Sequence, residues 1–235
     1  MQKTRKVVLG ALTAAIIALL PSFDARANPS DPYSLYGEEI FFDVYRDGDK
    51  VGFHRVRFSG SGDDLTVRSD FELEIDFLFL TAFRYLYNSE GQWRQGRLES
   101  LTATVDDDGE DFAFGVFRDG PQLRIEKASG NITADAPLFP TTHWNVRVLD
   151  QSQVLNTLTG LVNQVRIESR ARETVATERG EIPATRYAYT GELETEVWYD
   201  DAGRWVKLRF DGRDGSNIEY LCRRCQGARV DKAQR

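Results

Sequence analysis

The chain has 235 residues, of which 29% are charged, and its formal net charge at pH 7 is −7. A chain of this length is enough to bury one sizeable hydrophobic core. An acidic chain without a basic cluster does not carry the electrostatic signature of nucleic-acid binding or of attraction to anionic lipid. We therefore expect no nucleic-acid partner.

The N-terminus has the three parts of a cleavable secretory signal. A basic start is followed by an uncharged apolar run of 14 residues, Val7–Leu20. This run is shorter than the about 20 residues that span a bilayer, which argues against a membrane anchor. Ala25 and Ala27 then form a small-x-small cleavage site, so Asn28 is the predicted first residue of the mature protein.

Export has consequences for charge and anchoring. Cleavage removes four basic residues and one acidic residue, which changes the net charge from −7 to −10. No cysteine precedes Cys222, so no thiol near the cleavage site can carry a lipid anchor. We predict a signal peptide at residues 1–27 and one domain at residues 28–235, exported to the periplasm and not anchored to the membrane.

Turn signals punctuate the mature chain at nearly regular spacing. Pairs of Asp, Asn and Gly tolerate the positive φ angles of tight hairpins, so the segments between them are predicted to pair antiparallel. The pattern predicts about ten strands. The signals are Asp47–Gly48, 88–91, 107–109, Asp119–Gly120, Gly130–Asn131, Arg179–Gly180, 201–203 and 212–215.

The clearest strand is predicted at residues 65–79. Apolar residues occupy one phase of a period-two alternation, interrupted by Ser69, and charged or polar residues occupy the other. This pattern is typical of a strand with one buried face and one wet face. The acidic stripe from Asp70 to Asp76 is interpreted as the solvated face, because it has no glycine-bearing calcium loop.

One segment, Pro137–Asn163, has no alternation. Asp150 is interpreted as the cap of a short helix that begins at Gln151 and ends before Gly160. Long strands with short turns indicate one large sheet that curls. We therefore predict an all-β fold: a large antiparallel meander sheet, strongly coiled into a half-barrel or closed barrel, with one short helix-bearing segment across a face or open end.

Cys222 and Cys225 form a Cys-x-x-Cys pair. In an oxidising compartment a local disulfide or a pair of incidental thiols is favoured. A redox role and a metal site remain as alternatives, although the pair follows a predicted strand rather than opening a helix. Haem attachment requires a histidine where this chain has Gln226. We expect no cofactor and no metal.

Four residues are candidates for ligand binding: His54, His143, Trp144 and Asn145. His54 shares the apolar phase of its predicted strand and is expected to face inward. His143, Trp144 and Asn145 lie in the least regular part of the chain. The alternative is structural: Trp144 packs in the core, and His143 or Asn145 caps backbone groups.

Several motifs resemble a family of exported bacterial proteins that is described only as a domain of unknown function. They are the hairpin from Tyr36-Gly37 to Gly52-Phe53-His54, the segments 140–145 and 155–160, and Val197-Trp198-Tyr199-Asp200 with its continuation 203–208. The family is similar to a neighbouring one with a comparable Tyr…Val-Gly opening and Trp-Tyr-Asp closing. More remotely, it resembles the half-barrels of periplasmic lipoprotein carriers. The resemblance implies no catalytic residue.

The chain contains no Gly-x-Ser-x-Gly elbow, no Gly-rich phosphate loop and no His-Glu-x-x-His helix. We therefore expect a non-catalytic protein that binds a lipid, another apolar ligand or an extended peptide in the concave sheet. The alternatives are a hydrolase or isomerase that uses His143 with a nearby carboxylate, and an envelope assembly factor that binds a protein partner through a sheet edge.

Overall fold

The computed structural model describes residues 31–61, 63–77 and 80–227. The predicted signal peptide at residues 1–27 and the cleavage site before Asn28 lie outside the described residues. Within them, no helix is long and apolar enough to cross a membrane.

Strands dominate the described chain. A five-residue helix, α1 (Pro32–Tyr36), precedes them, and a 3₁₀ helix lies at Val146–Asp150. The first eight strands are β1 (Glu39–Arg46), β2 (Asp49–Gly60), β3 (Asp64–Phe77), β4 (Leu80–Arg94), β5 (Arg97–Asp107), β6 (Glu110–Asp119), β7 (Gln122–Lys127) and β8 (Gly130–Asp135). The others are β9 (Phe139–Pro140), β10 (Gln153–Asn156), β11 (Leu161–Thr177), β12 (Gly180–Gly191), β13 (Thr195–Asp200), β14 (Trp205–Asp211) and β15 (Asn217–Arg224).

All fifteen described strands belong to one sheet, in the order β8 to β1, then β15 to β9. Neighbours are antiparallel except β9 and β10, which pair in parallel. A further bridge between Thr177 and Cys222 joins β11 to β15, so that β11 to β15 form a partial ring. The predicted all-β, antiparallel and strongly coiled sheet is confirmed, and its form is barrel-like.

The first hairpin shows how local chemistry sets the topology. Asp47 and Gly48 both have positive φ angles, 51° and 96°, as a two-residue turn between twisted strands requires. Gly52 follows on β2, where an added Cβ would lie 1.8 Å from the carbonyl oxygen of Glu72. Only glycine lets β2 and β3 approach this closely, which gives the Val-Gly opening motif a structural reason.

The alternation predicted for β3 is confirmed where the structure describes it. Phe71 and Leu73 are buried, Glu74 is exposed, and Glu72 and Ile75 are half-buried. Successive side chains of a strand point to opposite faces, which explains the pattern. The prediction for the side chains of Phe77 and Phe79 lies outside the described residues.

The helix predicted after Asp150 is wrong. Residues 153–156 form β10 instead, and the 3₁₀ helix lies one turn earlier, at 146–150. Val154 and Leu155 are consecutive and both fully buried, because β10 has packed neighbours on both of its faces. The spacing of the apolar residues in this segment suits a helix as well as a buried strand. Gly160, predicted to end the helix, has a φ of 63° and belongs to the turn between β10 and β11.

A turn predicted at residues 88–91 is also wrong. These residues lie inside β4, and the chain reverses later, at Gln95 and Gly96, which have φ angles of 50° and 72°. Gly91 sits in the strand, where the side chains of Trp93 and Leu101 pack beside it. The described chain has fifteen strands rather than the predicted ten or so, because turns such as Gln95–Gly96 have no Asp-Gly or Asn-Gly pair to mark them in the sequence.

Candidate functional site

The concave side of the sheet contains an open cavity of about 470 Å³. Its walls come from β3, β4, β14 and β15 and from the turn between β10 and β11. The apolar side chains that line it are Phe71, Leu73, Ile75, Phe83, Tyr85, Leu158, Phe210 and Ile218. We call this space the mouth cavity. The hydroxyl of Tyr85 donates to the carbonyl oxygen of Leu158 at 3.1 Å, which holds the turn between β10 and β11 beside it.

Two ion pairs stand at the mouth cavity. Arg46 pairs with Asp214 at 2.6 Å, and Arg213 pairs with Asp107 at 2.6 Å. Hydrogen bonds from Ser216 and then Arg46 hold the pKa of Asp214 well below its ordinary value, so this carboxyl group stays ionised. Each guanidinium is paired with one carboxylate, so these two pairs add no net charge to the mouth cavity.

A second, smaller cavity of about 90 Å³ shares Phe71, Asn156, Leu158 and Phe210 with the mouth cavity. We call it the inner cavity. Its lining includes two of the predicted site residues, His54 and His143. The two imidazole rings pack against the same indole, since each ring centroid is 5.5 Å from that of Trp205.

His54 lies on β2 and is 6% exposed. Its Nε2 is 2.7 Å from the Oγ of Ser69 on β3, and the rings of Phe71 and Tyr220 stand edge-on to it. Burial lowers the pKa of His54 to about 3. The imidazole is therefore neutral at pH 7. Ser69 interrupts the apolar alternation of β3 because it is the polar partner of this histidine.

His143 is 3% exposed and has a φ of 53°, a left-handed conformation that histidine adopts more readily than most residues. Its carbonyl oxygen accepts a hydrogen bond from the hydroxyl of Tyr199 at 2.7 Å. The ring packs against Tyr189 and Trp205. Burial, together with nearby His54, lowers the pKa of His143 to about 3, so it is neutral as well.

Three polar atoms around this pair have no hydrogen-bond partner among the described residues: Nδ1 of His54, Nδ1 of His143 and the hydroxyl of Tyr189. A buried polar group without a partner costs about 1–3 kcal/mol. Buried groups of this kind usually point to a ligand, to water or to a functional strain. Here two of the three belong to side chains that line the inner cavity.

The other two predicted site residues lie elsewhere. Trp144 is buried, with its ring centroid 5.1 Å from that of Trp93 and 5.6 Å from that of Phe58. Asn145 caps the 3₁₀ helix, where its side chain accepts from the backbone of Arg147 at 3.1 Å. Neither is part of the lining of the mouth cavity or the inner cavity.

The arrangement offers little for acid–base catalysis. No carboxylate among residues 31–61, 63–77 and 80–227 hydrogen-bonds to either imidazole. Glu194 borders the inner cavity but is exposed. Ser69 and His54 are spaced like a nucleophile and its base, but an imidazole with a pKa of about 3 is a weak base at neutral pH.

The cysteine pair lies on β15 and the segment after it. Cys222 and Cys225 are joined as a disulfide, with Cα atoms 5.9 Å apart, and Glu178 lies 2.9 Å from the sulfur of Cys222. These three residues are close enough to hold a metal ion. The sulfurs are bonded to each other, however, and a metal requires thiolates. Arg204 donates to the carbonyl oxygen of Gln226 at 2.9 Å and holds this segment against β14.

The motifs that carry the family resemblance meet at one place in the fold. His54 and His143 line the inner cavity, and Tyr199 donates to the carbonyl oxygen of His143. Trp205 packs against both imidazoles, and its backbone N–H donates to the hydroxyl of Tyr36. Sequence reasoning selected only the two histidines. Ser69 stands out in the sequence as the one polar residue in the apolar phase of β3. Its partner, His54, becomes evident only when β2 is paired with β3.

Fold and cavities together define a barrel-like all-β protein with an apolar cavity in its concave side. The chain belongs to the family described as domain of unknown function DUF6134, whose model matches residues 42–223. The expected membership of a family of unknown function is thereby confirmed. No curated protein matches the chain.

A solved structure supports the same fold. The chain is similar to a beta-barrel-like protein of domain of unknown function DUF1849 from Brucella abortus, with a TM-score of 0.58. The similarity covers 81% of this chain and 97% of that one at 9% sequence identity. At this identity the likeness concerns the fold alone.

Proposed function

We propose that this protein is an exported, non-catalytic binding protein of the periplasm that holds an apolar ligand in the concave side of its sheet. The observation that carries the proposal is the mouth cavity. Its volume of about 470 Å³ lies within the range of about 300–1,000 Å³ that is typical of small-molecule sites. Its walls are mainly aromatic and aliphatic, as in such sites.

The polar groups support binding rather than catalysis. Both histidines are neutral and lack a carboxylate partner among the described residues, so neither resembles an activated base. The remote resemblance to the half-barrels of periplasmic lipoprotein carriers favours the same function. A binding site for an apolar ligand explains why apolar side chains line a cavity that is open to solvent.

The test is uptake of a neutral hydrophobic fluorophore, N-phenyl-1-naphthylamine, by purified protein and by two variants. Ile75→Trp places a large ring in the mouth cavity, because Ile75 lines it. Glu74→Trp is the matched control, since Glu74 is the next residue on β3 and is exposed on the opposite face. The two variants place the ring on opposite faces of β3, and the control also removes the exposed ion pair between Glu74 and Arg84 at 3.4 Å.

We expect the wild type and Glu74→Trp to take up the fluorophore with equal affinity and Ile75→Trp to lose at least tenfold. Equal affinity in all three proteins would show that the mouth cavity is not the binding site. Absence of uptake by the wild type, in protein freed of any bound lipid by refolding, would overturn the proposed function.

A second candidate is an interaction protein that binds an extended peptide by strand addition. It is favoured by the position of β8, which ends the sheet and carries Ile132 at 39% exposure. A free strand edge with an apolar side chain is the usual template for such pairing. The change Thr133→Pro would remove a backbone donor from β8, and loss of a co-purifying protein in this variant alone would favour the interaction protein.

A further inference from the structure

The inner cavity differs from the mouth cavity in its chemistry. Its lining holds two imidazoles, each more than nine-tenths buried and each with an unpartnered Nδ1 among the described residues. The mouth cavity beside it is mainly apolar. The two linings share Phe71, Asn156, Leu158 and Phe210, so the two cavities are neighbours.

The two histidines are held in place by different elements. The bond from His54 to Ser69 leaves Nδ1 as its free polar atom. His143 is positioned through its backbone, whose carbonyl oxygen accepts from Tyr199, and its ring Nδ1 has no hydrogen-bond partner among the described residues. The indole of Trp205 packs against both rings, with each ring centroid 5.5 Å from that of the indole.

The charges around the cavities favour a neutral ligand. A neutral imidazole offers one donor and one acceptor, which suits a hydroxyl or a carbonyl group. The arginines that border the mouth cavity, Arg46 and Arg213, are each paired with an aspartate. An anionic group that entered the inner cavity would lose its hydration without gaining an unpaired cation among the residues that line the two cavities.

Resting on the proposed function, we propose that the ligand is a neutral amphiphile with one polar end. Its apolar body fills the mouth cavity, and its terminal hydroxyl or carbonyl group hydrogen-bonds to His54 and His143 in the inner cavity. The residues that carry this selectivity are therefore the two histidines, and the polar end of the ligand is recognised in the inner cavity rather than in the mouth cavity.

The experiment compares four ten-carbon probes by displacement of N-phenyl-1-naphthylamine from the wild type: 1-decanol, 2-decanone, decane and decyl phosphate. One net hydrogen bond corresponds to about a three- to tenfold gain in affinity. We expect decanol and decanone to bind tighter than decane by this factor and decyl phosphate to bind least. Decane as tight as decanol, or decyl phosphate tightest, would overturn the inference.

A double variant tests whether His54 causes the preference for a probe with a polar end. The double change His54→Phe with Ser69→Ala removes one imidazole and its partner without leaving an unpaired hydroxyl. Arg55→Phe is the matched control, because Arg55 is the next residue on β2, on the opposite face. We expect the double variant to bind decane as the wild type does and to lose most of the preference for decanol, while Arg55→Phe keeps it.

The two proposals fail in distinguishable ways. If all four probes displace the fluorophore with the same affinity, the proposed apolar binding site is supported and the proposed role of the histidines is wrong. If the fluorophore itself does not bind, the proposed function fails first. Should the double variant not fold, the order of the four probes on the wild type still decides the question.

Discussion

The hydroxyl of Tyr36 donates a hydrogen bond of 2.9 Å to the carbonyl oxygen of Trp144, a residue 108 positions further along the chain. The same hydroxyl accepts from the backbone N–H of Trp205 at 2.8 Å. Tyr36 thus joins α1, the segment before the 3₁₀ helix, and β14 at one buried atom. His143 precedes Trp144, so this junction also helps to place the imidazole that lines the inner cavity.

Replacement of Tyr36 by Phe should destabilise the protein. The change leaves a buried carbonyl and a buried N–H unpaired, so we expect a loss of about 1–3 kcal/mol in the free energy of unfolding. The matched control is Tyr33→Phe, whose hydroxyl bonds to Gly60 at an exposed site. It should change stability by no more than about 0.5 kcal/mol. Urea unfolding measures both, and equal losses would contradict the role of Tyr36.

Phe71 and Glu72 are neighbours on β3 that differ in the face they occupy. Phe71 is 5% exposed and packs against the rings of Tyr85 and Tyr220. We expect Phe71→Ala to cost about 3–5 kcal/mol, as for other large-to-small core changes. Glu72→Ala should stay within about 0.5 kcal/mol. Similar losses at the two positions, measured by denaturant unfolding, would show that the register is wrong.

Trp144 is predicted to pack in the core rather than to act as a gate. It lies against Trp93 and Phe58 and away from both cavities, so Trp144→Ala should cost about 3–5 kcal/mol. In the fraction that stays folded, the release rate of a bound hydrophobic fluorophore should not change. Stopped-flow dilution measures this rate. Faster release from a folded variant would instead make the tryptophan part of a gate.

The buried histidines should make stability depend on pH. Their pKa values are about 3 in the folded protein, against an ordinary value of 6.5, so the unfolded chain binds more protons between these limits. Stability should therefore fall as the pH drops from about 6.5 to about 3, by up to about 1.4 kcal/mol per pH unit for each histidine.

The control for this pH dependence is His143→Asn, because asparagine tolerates the left-handed backbone at this position. Carboxylates also titrate in this range, but they do so in both proteins. The variant should show a shallower loss of stability between pH 6.5 and pH 4 in urea unfolding. The same slope in both proteins would mean that His143 is not buried as a neutral group.

Export predicts a defined mature N-terminus. Sequencing of the protein recovered from the periplasm of a two-membrane bacterium should begin at Asn28, because Ala25 and Ala27 satisfy the requirement for small residues at the cleavage site. The change Ala27→Arg should block cleavage and leave a longer, membrane-retained form. A full-length product from the unaltered chain would contradict the signal peptide.

The sequence by itself determined the class of the fold. The alternation along β3 and the Asp47–Gly48 turn predict paired strands, because strand periodicity and hairpin turns depend on residues that are close together in the chain. The same local reasoning failed at residues 151–160. There Val154 and Leu155 have a spacing that suits a buried helix as well as a buried strand, and only the packed neighbours of β10 distinguish the two.

The tertiary structure alone decided the candidate site. His54 and His143 were selected from the sequence, but nothing local indicates that both lie against Trp205, that Ser69 is the partner of His54, or that Trp144 points away from the cavities. These relationships join residues that are far apart in the chain. They follow from how a long sheet coils and which strands meet across it, and that depends on the packing of the whole core rather than on any single segment.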